Sequence, residues 1–162
     1  MPENFKIYVN RLKGGQKEKI NETGPPRSLE IEDEKEVSFP AAVQISGEAY
    51  LAEDHLVLHL NISTQALLPC AICNEKFTVP IKLSNVYITT PLSEIRGASF
   101  DYASEVREAI FLQIPLYFEC HGGNCPERNA LNKYLKKNSS AAKSPSEKEG
   151  ANFPFADLNG CD

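Results

Sequence analysis

No stretch of this chain holds the run of about 20 apolar residues that a membrane-spanning helix needs. Its opening, Met1-Pro-Glu-Asn-Phe-Lys, also lacks the apolar segment of a secretory signal. Together these absences predict a cytoplasmic protein with no membrane partner, and they weigh against a disulfide framework, which belongs to oxidising compartments. Positive charge is in deficit: 17 Lys and Arg face 22 Asp and Glu, for a formal charge of −5. That balance excludes a protein that coats nucleic acid by bulk electrostatics. No glycine-rich phosphate loop is present. Lys13-Gly-Gly-Gln-Lys is too short and opens no clear helix. No signature of a nucleophilic triad occurs either, so no small-molecule substrate is expected.

The 162 residues suit one domain able to bury a real core, with 41% hydrophobic and 24% charged residues. Charge is unevenly spread. Lys6, Arg11, Lys13, Lys17 and Lys19 make a basic start, and Glu30, Glu32, Asp33, Glu34 and Glu36 an acidic run. Arg128, Lys133, Lys136, Lys137, Lys143 and Lys148 turn the chain basic again. Each run is either a solvated surface or a phosphate contact.

Phe5 to Asn10 alternates as a half-buried strand should, and residues 13–27, rich in Gly and Pro, read as an exposed loop. The acidic run reads as a short helix or an extended connector. Val43, Ile45, Gly47, Ala49 and Leu51 form one alternating face and Leu56, Leu58, Leu60 and Ile62 the next, a hairpin turning at Ala52-Glu-Asp-His. A third strand leads to Cys70, a fourth spans Phe77 to Leu83, and Val86-Tyr-Ile-Thr-Thr adds a fifth. Pro80 marks the fourth as an edge strand or a bulged one. A helix follows, with Val106, Ile110, Phe111 and Ile114 on one face; Ser104 or Asp101 caps it and Pro115 stops it. A second begins near Pro126 and turns Leu131, Tyr134 and Leu135 to the core. The predicted class is α+β: a mostly antiparallel curved sheet or partial β-barrel with two or three helices on one side. Residues 1–137 form the domain, 138–150 a flexible linker, and 151–162 an apolar docking segment carrying Phe153, Phe155 and Leu158.

Two cysteine pairs carry the chemistry: Cys70-Ala-Ile-Cys73 and Cys120-His-Gly-Gly-Asn-Cys125. Pro69 and Asn74 bracket the first; Gly122, Gly123 and Pro126 lie in or beside the second, so both read as tight knuckle loops. Two thiolate pairs brought together close a tetrahedral site, the geometry of structural Zn²⁺. A thioredoxin-like redox motif is the weaker alternative, because Cys70 follows a strand rather than opening a helix; ordinary unliganded thiols are another. His55 and His59 share the polar face of one strand and read as solvated. His121, inside the second loop, either replaces a cysteine ligand or orients the loop, with cysteine favoured. Glu75 and Glu119 flank the pairs and would serve as the base in a hydrolytic scheme, but four sulfurs leave no open coordination position. Cys161 has no partner nearby in sequence.

In order and spacing these landmarks resemble the YceD family, the large ribosomal RNA subunit accumulation proteins of bacteria and plastids. The first is Cys70-Ala-Ile-Cys73-Asn-Glu-Lys-Phe77-Thr-Val-Pro80. The second is the helix Val106-Arg-Glu-Ala-Ile110-Phe-Leu-Gln-Ile114-Pro115 with the second cysteine pair, and the last is Pro154-Phe155-Ala156-Asp-Leu158. Ile72 stands where family members usually carry Arg, and Arg128 near where many carry a further Cys. The resemblance implies a non-enzymatic factor in ribosome biogenesis that supports accumulation or processing of large-subunit ribosomal RNA. Its partners would be pre-ribosomal RNA, ribosomal proteins or assembly factors. Lys133, Lys136 and Lys137 would meet phosphate, or the acidic run a basic ribosomal protein. A protein-binding adaptor acting through Phe153 to Leu158, and a small zinc-dependent hydrolase or nuclease, are the competing classes.

Overall fold

The computed structural model describes residues 5–139, with side chains to residue 134. Two compact units meet at the Cys125–Pro126 peptide. In the first, β2 (Glu18–Gly24), β3 (Val43–Ala52), β4 (His55–Pro69) and β5 (Lys76–Pro91) form an antiparallel sheet in the order β2-β3-β4-β5. A two-stranded ribbon pairs β1 (Lys6–Tyr8) with β6 (Ser99–Asp101), and helix α1 (Ala103–Gln113) follows it. Short helical turns span Val9–Leu12, Pro26–Leu29 and Leu92–Glu94. The fold is the expected α+β one, and the sheet stays open, with β2 and β5 as its edges, rather than closing into a barrel.

Hydrophobic alternation builds this sheet. Along β4, Leu56, Leu58, Leu60, Ile62, Ala66 and Leu68 all point inward and are buried. They join Ile20, Val43, Ile45, Ala49 and Ile81 from the other strands. Phe5, Ile7, Leu12, Leu29, Tyr102, Val106 and Ile110 complete the same core. The Phe5 and Tyr102 rings meet edge to face at 6.0 Å. β4 and β5 are each one long strand where the sequence suggests two. The inward alternation runs unbroken, and a β-bulge between Leu60 and Ile62 absorbs the change of register that reads as a strand break. Asn85, opposite this bulge, takes a left-handed φ of 58°. Pro80 pairs with Gln65 on the edge strand β5, where a missing N–H costs no ladder bond on the open side.

Two expectations fail for physical reasons. Residues 13–27 contain β2, which the loop reading misses because Ile20 is its one large apolar residue. As an edge strand it needs only the pairing with β3 from Glu18↔Ala49 to Gly24↔Val43. In the second unit α3 (Arg128–Ser139) forms as expected near Pro126, yet Leu131 is 42% and Tyr134 72% exposed, so neither enters a core. The N-terminus of α1 is held by Asp101, whose Oδ1 accepts the Ala103 N–H at 3.0 Å, rather than by Ser104. Its C-terminus falls at Ile114, immediately before Pro115. No helix among the described residues is long and apolar enough to cross a membrane.

Gly47 marks the tightest crossing in the sheet. A Cβ there would stand 2.0 Å from the His59 carbonyl oxygen, a backbone atom that cannot swing away. Gly47→Ala is expected to lower the unfolding free energy by roughly 2 kcal/mol or more, as overpacking does in cores. A urea melt of the variant at wild-type stability would contradict this reading of β3–β4.

Candidate metal centre

The sheet delivers the first cysteine pair at the β4–β5 turn. As β4 ends at Pro69, the Cys70 N–H donates to the Glu75 carbonyl at 2.8 Å and the Asn74 N–H to the Cys70 carbonyl at 2.9 Å. Asn74 closes the turn with a left-handed φ of 61°, which Asn tolerates better than most residues. The second pair sits in α2 (Cys120–Gly123), one turn broken from regular helix by His121 and Gly122 at φ of 56° and 64°. Gly123 continues at φ 93°. Two glycines make this reversal affordable in so few residues.

Glu119 locks the second loop. It is 9% exposed, and its Oε1 accepts the Cys125 N–H at 3.1 Å while Oε2 accepts the Tyr117 hydroxyl at 3.4 Å. The two loops are joined by Ala71 N–H donating to the Phe118 carbonyl at 2.8 Å. Phe77, Phe118 and Ile72 pack around the cysteines as a small cluster of their own.

Within this frame the four sulfurs lie within 4.8 Å of one another. Cys73 Sγ and Cys120 Sγ are 3.9 Å apart. A metal with tetrahedral thiolate bonds of about 2.3 Å sets its sulfurs about 3.8 Å apart, so the cluster needs to contract by about an ångström at most. Cys70, Cys120 and Cys125 are buried and Cys73 is partly so. The Cys70 sulfur accepts the N–H groups of Ile72 and Cys120, each at 3.4 Å. His121 Nδ1 lies 3.2 Å from Cys120 Sγ and Phe77 packs on its ring, so His121 braces a ligand and stands outside the sulfur group.

Electrostatics fit the same geometry. Burial raises the Cys70 thiol, but the N–H groups of Cys120, Cys73 and Ile72 outweigh it and bring its pKa down to about 6. The Glu75 N–H pulls Cys73 down, yet burial and the sulfurs of Cys70 and Cys125 carry it above its ordinary value. Burial, with Cys125, Cys70 and Cys73 crowding it, drives Cys120 far up. Cys70 is thus favoured as a thiolate while Cys73 and Cys120 resist ionisation, a resistance that a bound cation would reverse. The four cysteines can therefore hold a metal ion.

All four cysteines of the sequence prediction converge. Lys133 is exposed on α3, in the second unit and not among the clustered cysteines. Lys136 and Lys137 belong to the same helix, with side chains beyond those described. Phe153, Phe155, Leu158, Cys161 and residues 140–150 of the expected 138–150 linker lie outside the described residues, and α3 takes in the linker's first two positions. Glu119 was legible only as a flanking carboxylate; nothing in its spacing signals a bond to Cys125. His59 stacks on Tyr87 at 4.5 Å and contacts Asn85 at 3.0 Å, which places it on the outer face of the sheet as expected. Set against family models, curated proteins and solved structures, the chain matches none.

Metal-free protein titrated with Co²⁺ is expected to saturate at one ion per chain, with the charge-transfer and visible bands of a tetrahedral thiolate site. Cys73→Ser should abolish those bands. Glu119→Ala, which frees the second loop but removes no ligand, should weaken binding by roughly 10–100-fold. Unchanged affinity in Glu119→Ala would mean that the loop needs no such lock.

Proposed function

We propose that the ion is Zn²⁺ in a structural role and that this is a non-enzymatic, cytoplasmic factor supporting accumulation or processing of large-subunit ribosomal RNA. The observation that supports the first part is the set of four sulfurs, which completes a tetrahedral shell and leaves no position for a reacting water. Glu119, one of the two flanking carboxylates a hydrolase could use, is instead engaged by the Cys125 N–H and the Tyr117 hydroxyl. Soft thiolates in tetrahedral array favour zinc over the harder divalent ions.

The ribosomal part rests on the resemblance to the YceD family, carried by the first cysteine loop with its Phe77 and Pro80, the proline-stopped α1, and the second loop in that order. Pre-ribosomal RNA is the first partner in this reading. Lys133, Lys136 and Lys137 fall three and four residues apart on α3, a spacing that places helix positions on one stripe. RNA contact by a protein of net charge −5 should be local and lost steeply with added salt.

Ultraviolet crosslinking in growing cells, followed by sequencing of bound RNA, tests the ribosomal part. Reads concentrated in large-subunit precursor RNA are expected, and loss of the protein should lower mature large-subunit RNA. An unenriched profile with normal subunit ratios would remove the RNA partner from the proposal. For the metal, one zinc per purified chain is expected by elemental analysis. Stripping it should unfold the cysteine loops, because structural zinc supplies an apparent ~10–16 kcal/mol in small metal-dependent domains. Cys70→Ser or Cys125→Ser that kept both fold and zinc would sink the structural role.

A further inference from the structure

Beside the cysteine loops the first unit carries a groove of about 480 Å³. Leu68, Phe111, Ile114 and Phe118 give it an apolar floor, and Leu116, fully exposed at 108%, stands at its side. Glu34 and Glu36, both exposed, form its acidic rim. Fully exposed leucine beside half-exposed Phe111 is costly surface to leave in water, about 25 cal/mol for each Å². Apolar surface collected in a groove with a charged rim is the usual mark of a binding site.

The rim is held in place. Ser38 bridges Leu67 of β4, with Leu67 N–H donating to the Ser38 carbonyl at 2.7 Å. The Phe39 N–H donates to Asp33 at 3.1 Å and the Glu34 N–H to the Val37 carbonyl at 2.8 Å, so the acidic run is a fixed connector. Lys76 donates to the Lys35 carbonyl at 3.3 Å, and neither lysine is among the groove's lining residues. The opposite walls are Pro69 to Ala71 and Leu116 to Phe118, the two stretches that the Ala71–Phe118 hydrogen bond ties together beside the sulfur cluster. The structure that positions the cysteines therefore also shapes the groove.

We propose that this groove binds a short segment of a partner protein that is both basic and apolar: one or two Leu, Ile or Phe side chains on the Phe111–Phe118 floor, with Lys or Arg meeting Glu34 and Glu36. The carboxylate rim decides the class of occupant. It repels phosphate, which argues against RNA on this face, and it gives a cationic peptide both steering and register. The inference goes beyond the ribosomal proposal and stands on the groove alone.

Selection of phage-displayed random dodecapeptides on the full chain tests it. Glu34→Lys/Glu36→Lys and Leu116→Ser are the counter-targets, all at exposed positions outside the sulfur cluster. Enriched peptides should carry a net positive charge and at least one large apolar residue. By fluorescence anisotropy they should bind either variant about tenfold or more weakly than wild type, with unchanged melting curves and cobalt spectra. Failure of any peptide to enrich, enrichment without basic residues, or binding to either variant as tight as to wild type would overturn the proposal. So would tighter binding of labelled oligouridine to wild type than to Leu116→Ser.

Discussion

The convergence of four thiols from two loops is the constraint on which this architecture turns. Cys73 and Cys120 are separated by 47 positions, occupied by β5, β6 and α1, yet their sulfurs lie 3.9 Å apart. Closing so long a loop has an entropic cost, and a few hydrogen bonds between exposed turns would recover little of it. The local charge preference shows what a cation would supply. Cys70 is drawn down by three backbone N–H groups while Cys120 is driven up by burial and crowding sulfurs. A divalent cation reverses the second effect and exploits the first, converting a strained set of thiols into bonds across the loop.

The sheet makes that convergence possible by being stiff and by having few interruptions. β4 carries its inward alternation through the bulge at Leu60–Ile62 and arrives at Cys70 with its direction set. Because β5 leaves again antiparallel, Phe77 faces Phe118 and His121 beside the sulfurs, with ring centroids 6.3 and 5.8 Å apart. On the other side α1 packs against β5 and the Pro26–Leu29 turn, with an Arg107–Glu30 contact at 2.9 Å. The chain leaving α1 at Pro115 then reaches Cys120 within a few residues. Precision at the ligands comes from regular elements, and the loops themselves are short.

Local chemistry made the cysteine loops readable in the sequence. Tight spacing, Asn74 and the paired glycines act over a few residues, where tertiary context has little room to override them. Pro80 was readable for the same reason, since a missing donor points to an edge wherever the strand lies. The polar strand β2 was not readable, because its existence depends on β3 offering an edge and not on its own composition. Bulges were equally hidden: Ser84 and Asn85 look like punctuation between strands and are an irregularity within one. Phe111 shows the limit of helical periodicity. It lies near the buried stripe by sequence, yet is 38% exposed and splits its ring between an edge contact with Phe39 at 5.8 Å and the open groove.

Glu119 bears on which of two chemistries a cysteine-bound metal would serve. A catalytic centre keeps a ligand position open and a free base within reach. Here the neighbouring carboxylate is largely buried and committed to a backbone N–H and a phenol, while His121 turns its Nδ1 to a ligand sulfur. Glu119 and His121 thus brace the loops, while Glu75, the other flanking carboxylate, is exposed. A site organised this way would convert binding energy into shape, and the groove beside it is walled by the first cysteine loop and by the segment that leads into the second. The Ala71–Phe118 hydrogen bond is the direct link between the sulfur cluster and the groove beside it, and any coupling of metal binding to the proposed peptide site would run through it.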